Sequence, residues 1–125
     1  MKTQKQILVV DDETHVREAL RLLLAEDNHA VVEANNGAEA LGLFKKGRFD
    51  LVLTDLNMPH VMGDELAVHI RQLAPGQPIL MLTAHARRPG PDNPVNAVIR
   101  KPFGLRELRE TMARLLSAPG AALAR

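Results

Sequence analysis

Residues 5–14 read KQILVVDDET, a short apolar run that ends abruptly in acidic residues. Ile7 to Val10 are all aliphatic and mostly β-branched, which is typical of a strand covered on both faces. Asp11 and Asp12 follow at the point where that strand would end. The stretch therefore predicts a buried parallel strand with two carboxylates at its carboxyl end.

Four further aliphatic runs predict strands, and the segments between them show the three- and four-residue spacing of amphipathic helices. The predicted strands cover residues 30–34, 51–54, 79–82 and 97–99. The predicted helices end near residues 28, 47, 75 and 116. Asn36 and Glu39 form a predicted capping box at the start of the second helix. This alternation predicts an α/β fold, and five strands favour the flavodoxin-like, doubly wound parallel sheet in the order 2-1-3-4-5.

The composition is that of one globular domain. The chain has 125 residues, of which 46% are hydrophobic and 25% are charged. We expect a single domain over residues 5–117, followed by a flexible C-terminal tail of small residues at 118–125. The sequence leaves open whether this domain stands alone or belongs to a longer chain.

Charge and cysteine content argue against several classes of function. The net charge of +1 argues against direct binding of nucleic acid or of an anionic membrane. The chain has no cysteine, which excludes disulfides, thiolate zinc sites and thiol catalysis, and which suits the reducing cytoplasm where we expect the protein. No apolar run is long enough to span a membrane.

Chemically active side chains follow four of the five predicted strands. Asp11 and Asp12 follow the first strand, Asp55 the third, Thr83 the fourth and Lys101 the fifth. Ligands of doubly wound sheets bind beyond the carboxyl ends of the strands. Asp11 and Asp12 alone would more often form turns or helix caps. Three carboxylates at one edge repel one another, by ~4 kcal/mol for a pair about 4 Å apart at an effective dielectric constant near 20, so their convergence favours a bound cation.

The donor types indicate which cation would bind. All the candidate ligands are hard oxygens, and no two histidines are four residues apart, so we expect Mg²⁺, with Mn²⁺ as a substitute. The Lys101 ammonium and the Thr83 hydroxyl are suited to contact phosphate oxygens. Asp55 is then the best candidate for a nucleophile that forms an acyl phosphate, since a carboxylate is ionised at neutral pH and needs no general base.

The set of motifs resembles the receiver domain of two-component response regulators, the family that includes the chemotaxis regulators. The matching residues, in chain order, are Asp11-Asp12, Asp55, Asn57, Met58-Pro59, Gly63, Thr83-Ala84 and Lys101-Pro102-Phe103. The resemblance runs from about Lys5 to Ser117, and it is specific because four separate motifs must occur in this order.

The resemblance implies a Mg²⁺ site built from four residues. Asp12 would bind the ion directly and Asp11 largely through water, Asp55 would contribute its carboxylate, and Asn57 its backbone carbonyl.

The resemblance also implies a phosphoryl site. Asp55 would accept a phosphoryl group from the phosphohistidine of a histidine kinase or phosphotransfer protein, and phosphorylation would switch the binding of a downstream protein partner. Thr83 and Lys101 would contact the phosphoryl group, Ala84 would leave the acceptor accessible, and Pro102 would follow a cis peptide bond. The protein would then be a signalling switch that catalyses only its own phosphorylation and autodephosphorylation, and no metabolic enzyme.

Two positions depart from the pattern of that family. Val98 occupies the place of an aromatic residue that usually rotates inward on activation. Residues 84–96 connect the last two strands and contain three prolines within six residues, each of which costs about 3 kcal/mol inside a helix. We therefore expect the family's fourth helix to be shortened or absent, and the phosphorylation signal to be transmitted through this connection or the last helix.

Three other functions fit parts of the pattern. A phosphatase of the haloacid-dehalogenase kind needs a second aspartate as general acid where this chain has Asn57, whose amide cannot exchange a proton in that way. A flavodoxin is disfavoured by the acidic edge and by the scarcity of aromatic residues. A receiver-like adaptor that binds partners without phosphorylation stays open because of Val98 and the proline-rich connection.

Overall fold

Five strands and four helices lie within residues 4–56, 62–84 and 94–117, the part of the chain that the computed structural model describes. The strands are β1 (Gln6–Val10), β2 (Ala30–Ala34), β3 (Leu51–Asp55), β4 (Ile79–Thr83) and β5 (Ala97–Arg100). The helices are α1 (Thr14–Glu26), α2 (Gly37–Lys46), α3 (Gly63–Leu73) and α4 (Leu105–Ser117). Each strand that the sequence predicts is present, and its bounds agree to within one residue at each end.

The five strands form one parallel sheet in the order β2-β1-β3-β4-β5, which confirms the predicted flavodoxin-like fold. The strand order reverses between β1 and β3, which are neighbours in the sheet. Val10 pairs with Thr54 in that ladder, so the residues that follow them, Asp11 and Asp55, lie side by side at the carboxyl edge. The register of the central strands is thus what brings the predicted site together.

Side chains of the strands alternate between two apolar layers. In β1, Ile7 and Val9 face the layer formed with α1 and α4, and Leu8 and Val10 face the layer formed with α2 and α3. The helical residues of the two layers are Leu20, Leu24, Leu108 and Met112 in the first, and Ala40, Phe44, Leu66 and Ile70 in the second. With both faces covered, the carboxyl and amino ends of the strands carry the polar chemistry of the sheet.

Local hydrogen bonds explain where α1 ends. Asn28 adopts a left-handed conformation with φ of 70°. The N–H of Asn28 donates to the carbonyl of Ala25 (3.0 Å), and the N–H of His29 donates to that of Leu24 (3.0 Å). This is the Schellman arrangement, in which asparagine tolerates the left-handed position better than other side chains do.

The predicted capping box of α2 is half confirmed. The Asn36 side chain accepts a hydrogen bond from the N–H of Glu39 (2.8 Å), as expected. The Glu39 carboxylate, however, accepts from the N–H of Asn35 (2.5 Å) and not from that of Asn36. Asn36 is fully extended (φ −157°, ψ 173°), and the reciprocal bond is made one residue earlier than predicted.

The connection between β4 and β5 contains no helix among the residues described there, Ala84 and 94–96. Residues 85–93 lie outside the described part of the chain, as do residues 57–61 and the predicted tail at 118–125. The four helices given above are those of the described ranges, and the expected shortening or loss of the family's fourth helix concerns a segment that lies mostly outside them. None of them combines the length and the hydrophobicity that a membrane span requires.

Candidate functional site

Three carboxylates meet at the carboxyl edge of the sheet. One oxygen from each of Asp11, Asp12 and Asp55 lies within 4.8 Å of the others. Asp11 is only 1% exposed and Asp55 only 7%, whereas Asp12 is exposed. Two of the three charges are therefore held largely out of water, where their mutual repulsion is stronger than at the surface.

Hydrogen bonds of its backbone and of its side chain fix Asp11 in this position. Its N–H donates to the carbonyl of Ala34 (3.2 Å), which extends the β1–β2 ladder by one residue. Its Oδ1 accepts from the N–H of Glu13 (2.9 Å), so the chain turns sharply from β1 into α1. The turn presents the neighbouring carboxylate of Asp12 at the edge of the cluster.

Lys101, which follows β5, brings a positive charge to the cluster. Its Nζ donates to Oδ2 of Asp11 (3.3 Å) and to Oδ1 of Asp55 (3.3 Å). Its own N–H donates to the carbonyl of Thr83 (2.6 Å), which continues the β4–β5 ladder past Arg100. The peptide bond between Lys101 and Pro102 is cis, as the resemblance implied.

The charges in this cluster do not balance. Burial raises the pKa of the Asp55 carboxyl above its ordinary value, and although Lys101 opposes that change, the charges of Asp11 and Asp12 support it. Burial lowers the pKa of Lys101, but the carboxylates of Asp11 and Asp55 outweigh burial and the pKa is raised. One ammonium thus faces three acidic groups, and the surplus negative charge suits a divalent cation.

The donor set also fits Mg²⁺ by type. Every oxygen in the cluster is a hard carboxylate ligand, and the described residues of the cluster include neither sulfur nor imidazole. Asp11 already uses one oxygen for Glu13 and the other for Lys101, which leaves the exposed Asp12 and the second oxygen of Asp55 freer to face an ion.

The beginning of α3 packs directly against the end of β3. The N–H of Gly63 donates to the carbonyl of Leu56 (2.8 Å). A Cβ at position 63 would collide with the carbonyl oxygen of Asp55 and would lie 2.9 Å from the Cα of Leu56. Only glycine allows this approach, which the sequence alone did not reveal although Gly63 belongs to the matched motif.

The structure thus brings together Asp11, Asp12, Asp55 and Lys101 of the predicted site. Thr83, 1% exposed, is the last residue of β4, and Ala84 follows it with its surface open to solvent. Both lie at the same edge of the sheet, since β4 is the neighbour of β3. The fourth predicted metal ligand, Asn57, lies outside the described residues.

One residue close to the site was not found from the sequence. Arg17, in the first turns of α1, donates through Nη1 to the carbonyl of Asp11 (2.7 Å). In the sequence, Arg17 looks like an ordinary polar residue on the solvent side of an amphipathic helix, and nothing in its distance of six residues from Asp11 indicates a contact. Only the fold shows that its guanidinium reaches back to the end of β1.

Comparison with known proteins gives one consistent family. The chain matches the model of the response regulator receiver domain over residues 7–113. It is 40% identical over 109 residues to the transcriptional regulatory protein ResD of Bacillus subtilis, a match that covers 84% of this chain and 45% of that protein. The chain spans about half the length of the curated relatives it matches.

Solved structures give the same result. The response regulator TrrA of Thermotoga maritima, in complex with Mg²⁺-BeF, superposes with a TM-score of 0.85 at 37% identity, covering 90% of this chain and all (100%) of that one. One chain from the crystal structure of the histidine kinase ThkA in complex with TrrA, also of T. maritima, superposes with a TM-score of 0.84 at 40% identity, covering 91% of this chain and 100% of that one.

Proposed function

The chain belongs to the family of response regulator receiver domains, and from that membership we propose that Asp55 accepts a phosphoryl group from a phosphohistidine in a Mg²⁺-dependent reaction. The observation that carries the proposal is the convergence of the three carboxylates and Lys101 at one edge of the sheet. We take residues 5–117 as the receiver unit, with 118–125 as a tail outside it.

The proposed chemistry is a displacement at phosphorus. An oxygen of Asp55 forms a bond to phosphorus while the bond from phosphorus to the histidine nitrogen breaks, and the electron pair of that bond stays on the imidazole. The acceptor needs no general base, because a carboxylate carries no proton to remove. The protein contributes position and compensation of charge, which account for most of the catalysis of phosphoryl transfer.

The carboxylates of Asp11, Asp12 and Asp55, with the backbone carbonyl of Asn57, would hold Mg²⁺, and Mn²⁺ would suit the same oxygens. The bound ion would neutralise charge on the phosphoryl oxygens. Support comes from the surplus negative charge of the cluster and from TrrA, whose structure is a complex with Mg²⁺-BeF.

Lys101, Thr83 and Ala84 complete the proposed site. The Lys101 ammonium, already within 3.3 Å of Asp55, would contact a phosphoryl oxygen. The Thr83 hydroxyl would donate to another, and its place at the end of β4, beside β3, supports that role. Ala84 is small and exposed, so the donor could approach Asp55 from that side.

We propose a histidine kinase or a phosphotransfer protein as the phosphoryl donor, a proposal supported by the solved complex of ThkA with TrrA. The phosphorylated form would then bind a downstream protein partner, through the connection between β4 and β5 or through α4. The domain would be a signalling switch and would catalyse only its own phosphorylation and autodephosphorylation. That residues 5–117 make no direct contact with nucleic acid stays a prediction from their near-neutral charge.

The proposal is tested with a small phosphodonor. We expect the wild-type protein, incubated with acetyl phosphate and Mg²⁺, to gain the mass of one phosphoryl group, and to gain none after chelation by EDTA. Asp55→Asn should gain none under either condition, because an amide is not a nucleophile. Intact-mass spectrometry measures each outcome.

Asp50 provides the matched control, since it lies just before β3, at the opposite end of the strand that carries Asp55. Its carboxylate accepts a hydrogen bond from the N–H of Gln6 (2.8 Å), far from the acidic cluster. Asp50→Asn should therefore be labelled like the wild type. Labelling of Asp55→Asn at the wild-type level would overturn the assignment of the acceptor.

A further inference from the structure

Arg17 joins three segments of the chain near the acidic cluster. Besides its bond to the carbonyl of Asp11, it donates through Nη1 to the side-chain oxygen of Asn35 (3.0 Å) and through Nε to Glu33 (3.2 Å). Nη2 approaches the hydroxyl of Thr14 (3.5 Å). Its side chain is only 14% exposed, so the end of β1, the end of β2 and the start of α1 meet around a largely buried guanidinium.

The bond to Asp11 acts on the peptide group that joins the two neighbouring aspartates. That peptide consists of the carbonyl of Asp11 and the N–H of Asp12, so the direction of the carbonyl sets the direction in which the Asp12 main chain continues. The following peptide is fixed separately, since the N–H of Glu13 donates to the Asp11 side chain. Arg17 is therefore the side-chain contact that orients the link between Asp11 and Asp12.

Arg17 makes this contact without neutralising the cluster by direct pairing. It meets Asp11 through the backbone oxygen, whereas Lys101 meets the carboxylate of the same residue. The charge of Arg17 is paired with Glu33. Arg17 thus takes up no carboxylate oxygen of Asp11, and these oxygens bind Glu13 and Lys101 instead.

Arg21, one turn further along α1, allows the ion pair with Glu33 to be distinguished from the contact with Asp11. Its Nε pairs with the other oxygen of Glu33 (3.1 Å), so both arginines share the same acidic partner at nearly the same distance. Arg21 is 46% exposed, and no hydrogen bond joins it to Asp11 within the residues that the structure describes. Any effect common to the two arginines belongs to the ion pair with Glu33, and an effect of Arg17 alone belongs to the contacts that it makes besides that pair, of which the one to Asp11 reaches the acidic cluster.

We infer that Arg17 is a positioning residue for the metal site: by orienting the peptide between Asp11 and Asp12, it sets the affinity of the acidic cluster for Mg²⁺. The inference rests on the proposed function, because it takes that cluster to be the Mg²⁺ site. Removing such an outer contact of a metal ligand typically weakens metal binding by about tenfold or more.

The test compares Arg17→Met with Arg21→Met in the full chain, with Mg²⁺ alone as the probe. Methionine keeps an unbranched apolar stem and removes every donor. We expect the dissociation constant for Mg²⁺, measured by an NMR titration, to rise about tenfold in Arg17→Met and to stay within about twofold in Arg21→Met. Urea unfolding of the same proteins separates lost stability from lost affinity.

A conservative variant keeps the test decisive if Arg17→Met does not fold. Arg17→Lys retains the charge but places all its donors on one nitrogen, and we expect it to bind Mg²⁺ about threefold to tenfold more weakly than the wild type, because a compact ammonium cannot bridge Asp11 and Glu33 as the guanidinium does.

The outcomes separate the inference from the proposed function. If the wild type binds Mg²⁺ and neither Arg17 variant differs from Arg21→Met in affinity, Arg17 has no positioning role and the inference is overturned alone. If the wild type shows no Mg²⁺ binding, the metal site of the proposed function falls, and the inference falls with it.

Discussion

The polar side chains at the two ends of the sheet are used differently. At the amino edge they hold chain segments together: Arg71 of α3 donates to the carbonyls of Pro75 (2.7 Å) and Gln77 (2.6 Å), and to the carbonyl of Pro94 from both Nε (3.1 Å) and Nη2 (2.5 Å). Nη2 also reaches the side-chain oxygen of Asn96 (2.9 Å), which in turn accepts from the N–H at the start of β4. One guanidinium thus ties the end of α3, the turn before β4 and the start of β5 together.

At the carboxyl edge, Arg17 joins the ends of β1 and β2, and backbone contacts join the neighbouring elements. Gly63 donates to Leu56, and Lys101 donates to Thr83, in both cases from N–H to carbonyl. The acidic side chains there lie close together, three carboxylates against the one ammonium of Lys101. The acidic side chains at this edge are the ones proposed to bind a ligand, whereas each side-chain nitrogen of Arg71 at the opposite edge donates within the fold.

The largest expected effect comes from breaking the backbone contact at the carboxyl edge. In Gly63→Ala the new methyl group meets the main chain of Asp55 and Leu56, neither of which can move aside as a flexible side chain would. We expect a loss of about 3 kcal/mol in the free energy of unfolding, at the upper end of the usual cost of overpacking, measured by urea denaturation.

Gly42→Ala is the matched control, since Gly42 lies inside α2 and a Cβ there would meet nothing within 4 Å. We expect this variant to gain about 0.5–1 kcal/mol from the better helix propensity of alanine. Equal effects of the two substitutions would mean that α3 does not depend on close contact with β3.

A smaller loss is expected from removing the side chain that holds the amino edge. Arg71→Met leaves the carbonyls of Pro75, Gln77 and Pro94 without their donor, and we expect about 2 kcal/mol of stability to be lost, because water reaches part of this surface. Affinity for Mg²⁺ should not change, since Arg71 and the acidic cluster lie at opposite ends of the strands. Urea denaturation and a Mg²⁺ titration check the two statements.

Arg106→Met serves as control for Arg71, because Arg106 is an exposed residue of α4. Its substitution should change stability by no more than about 0.5 kcal/mol. A fall in Mg²⁺ affinity in Arg71→Met, beyond that of the control, would show that the two edges are coupled and that their separation is incomplete.

The strands and the acidic cluster at their carboxyl edge could be predicted from the sequence. The strands predicted at Ile7–Val10 and Leu51–Thr54 carry their signal locally, and the rule that parallel strands end at one edge then brings Asp11, Asp55 and Lys101 together. Those inferences need only periodicity and strand order.

The contacts of the two arginines needed the fold itself. Arg71 lies 23 residues from Pro94, and Arg17 lies 18 residues from Asn35, so no local pattern announces either contact. Both arginines occupy helix positions that an amphipathic pattern would leave to solvent. The steric role of Gly63 was hidden for a related reason, since the backbone it touches belongs to another element.

The smallest expected effect tests whether negative charge at the carboxyl edge exceeds the positive charge of Lys101, as the three carboxylates there imply. Asp12 helps to raise the pKa of Asp55, so its charge opposes that of its neighbour in the metal-free protein. We expect Asp12→Asn to be more stable than the wild type by about 0.5 kcal/mol in EDTA, because a repulsion is removed at an exposed site. Urea denaturation measures the difference.

Adding Mg²⁺ should make the wild type more stable than Asp12→Asn. Binding to the folded state stabilises the wild type in proportion to RT ln(1 + [Mg²⁺]/Kd), while Asp12→Asn lacks a ligand and gains less. Glu13→Gln, an exposed change at the next residue that leaves the backbone N–H in place, should follow the wild type in both conditions. If Asp12→Asn were the less stable protein in EDTA, the carboxylates would already be balanced without a metal, and the carboxyl edge would be as fully satisfied as the amino edge.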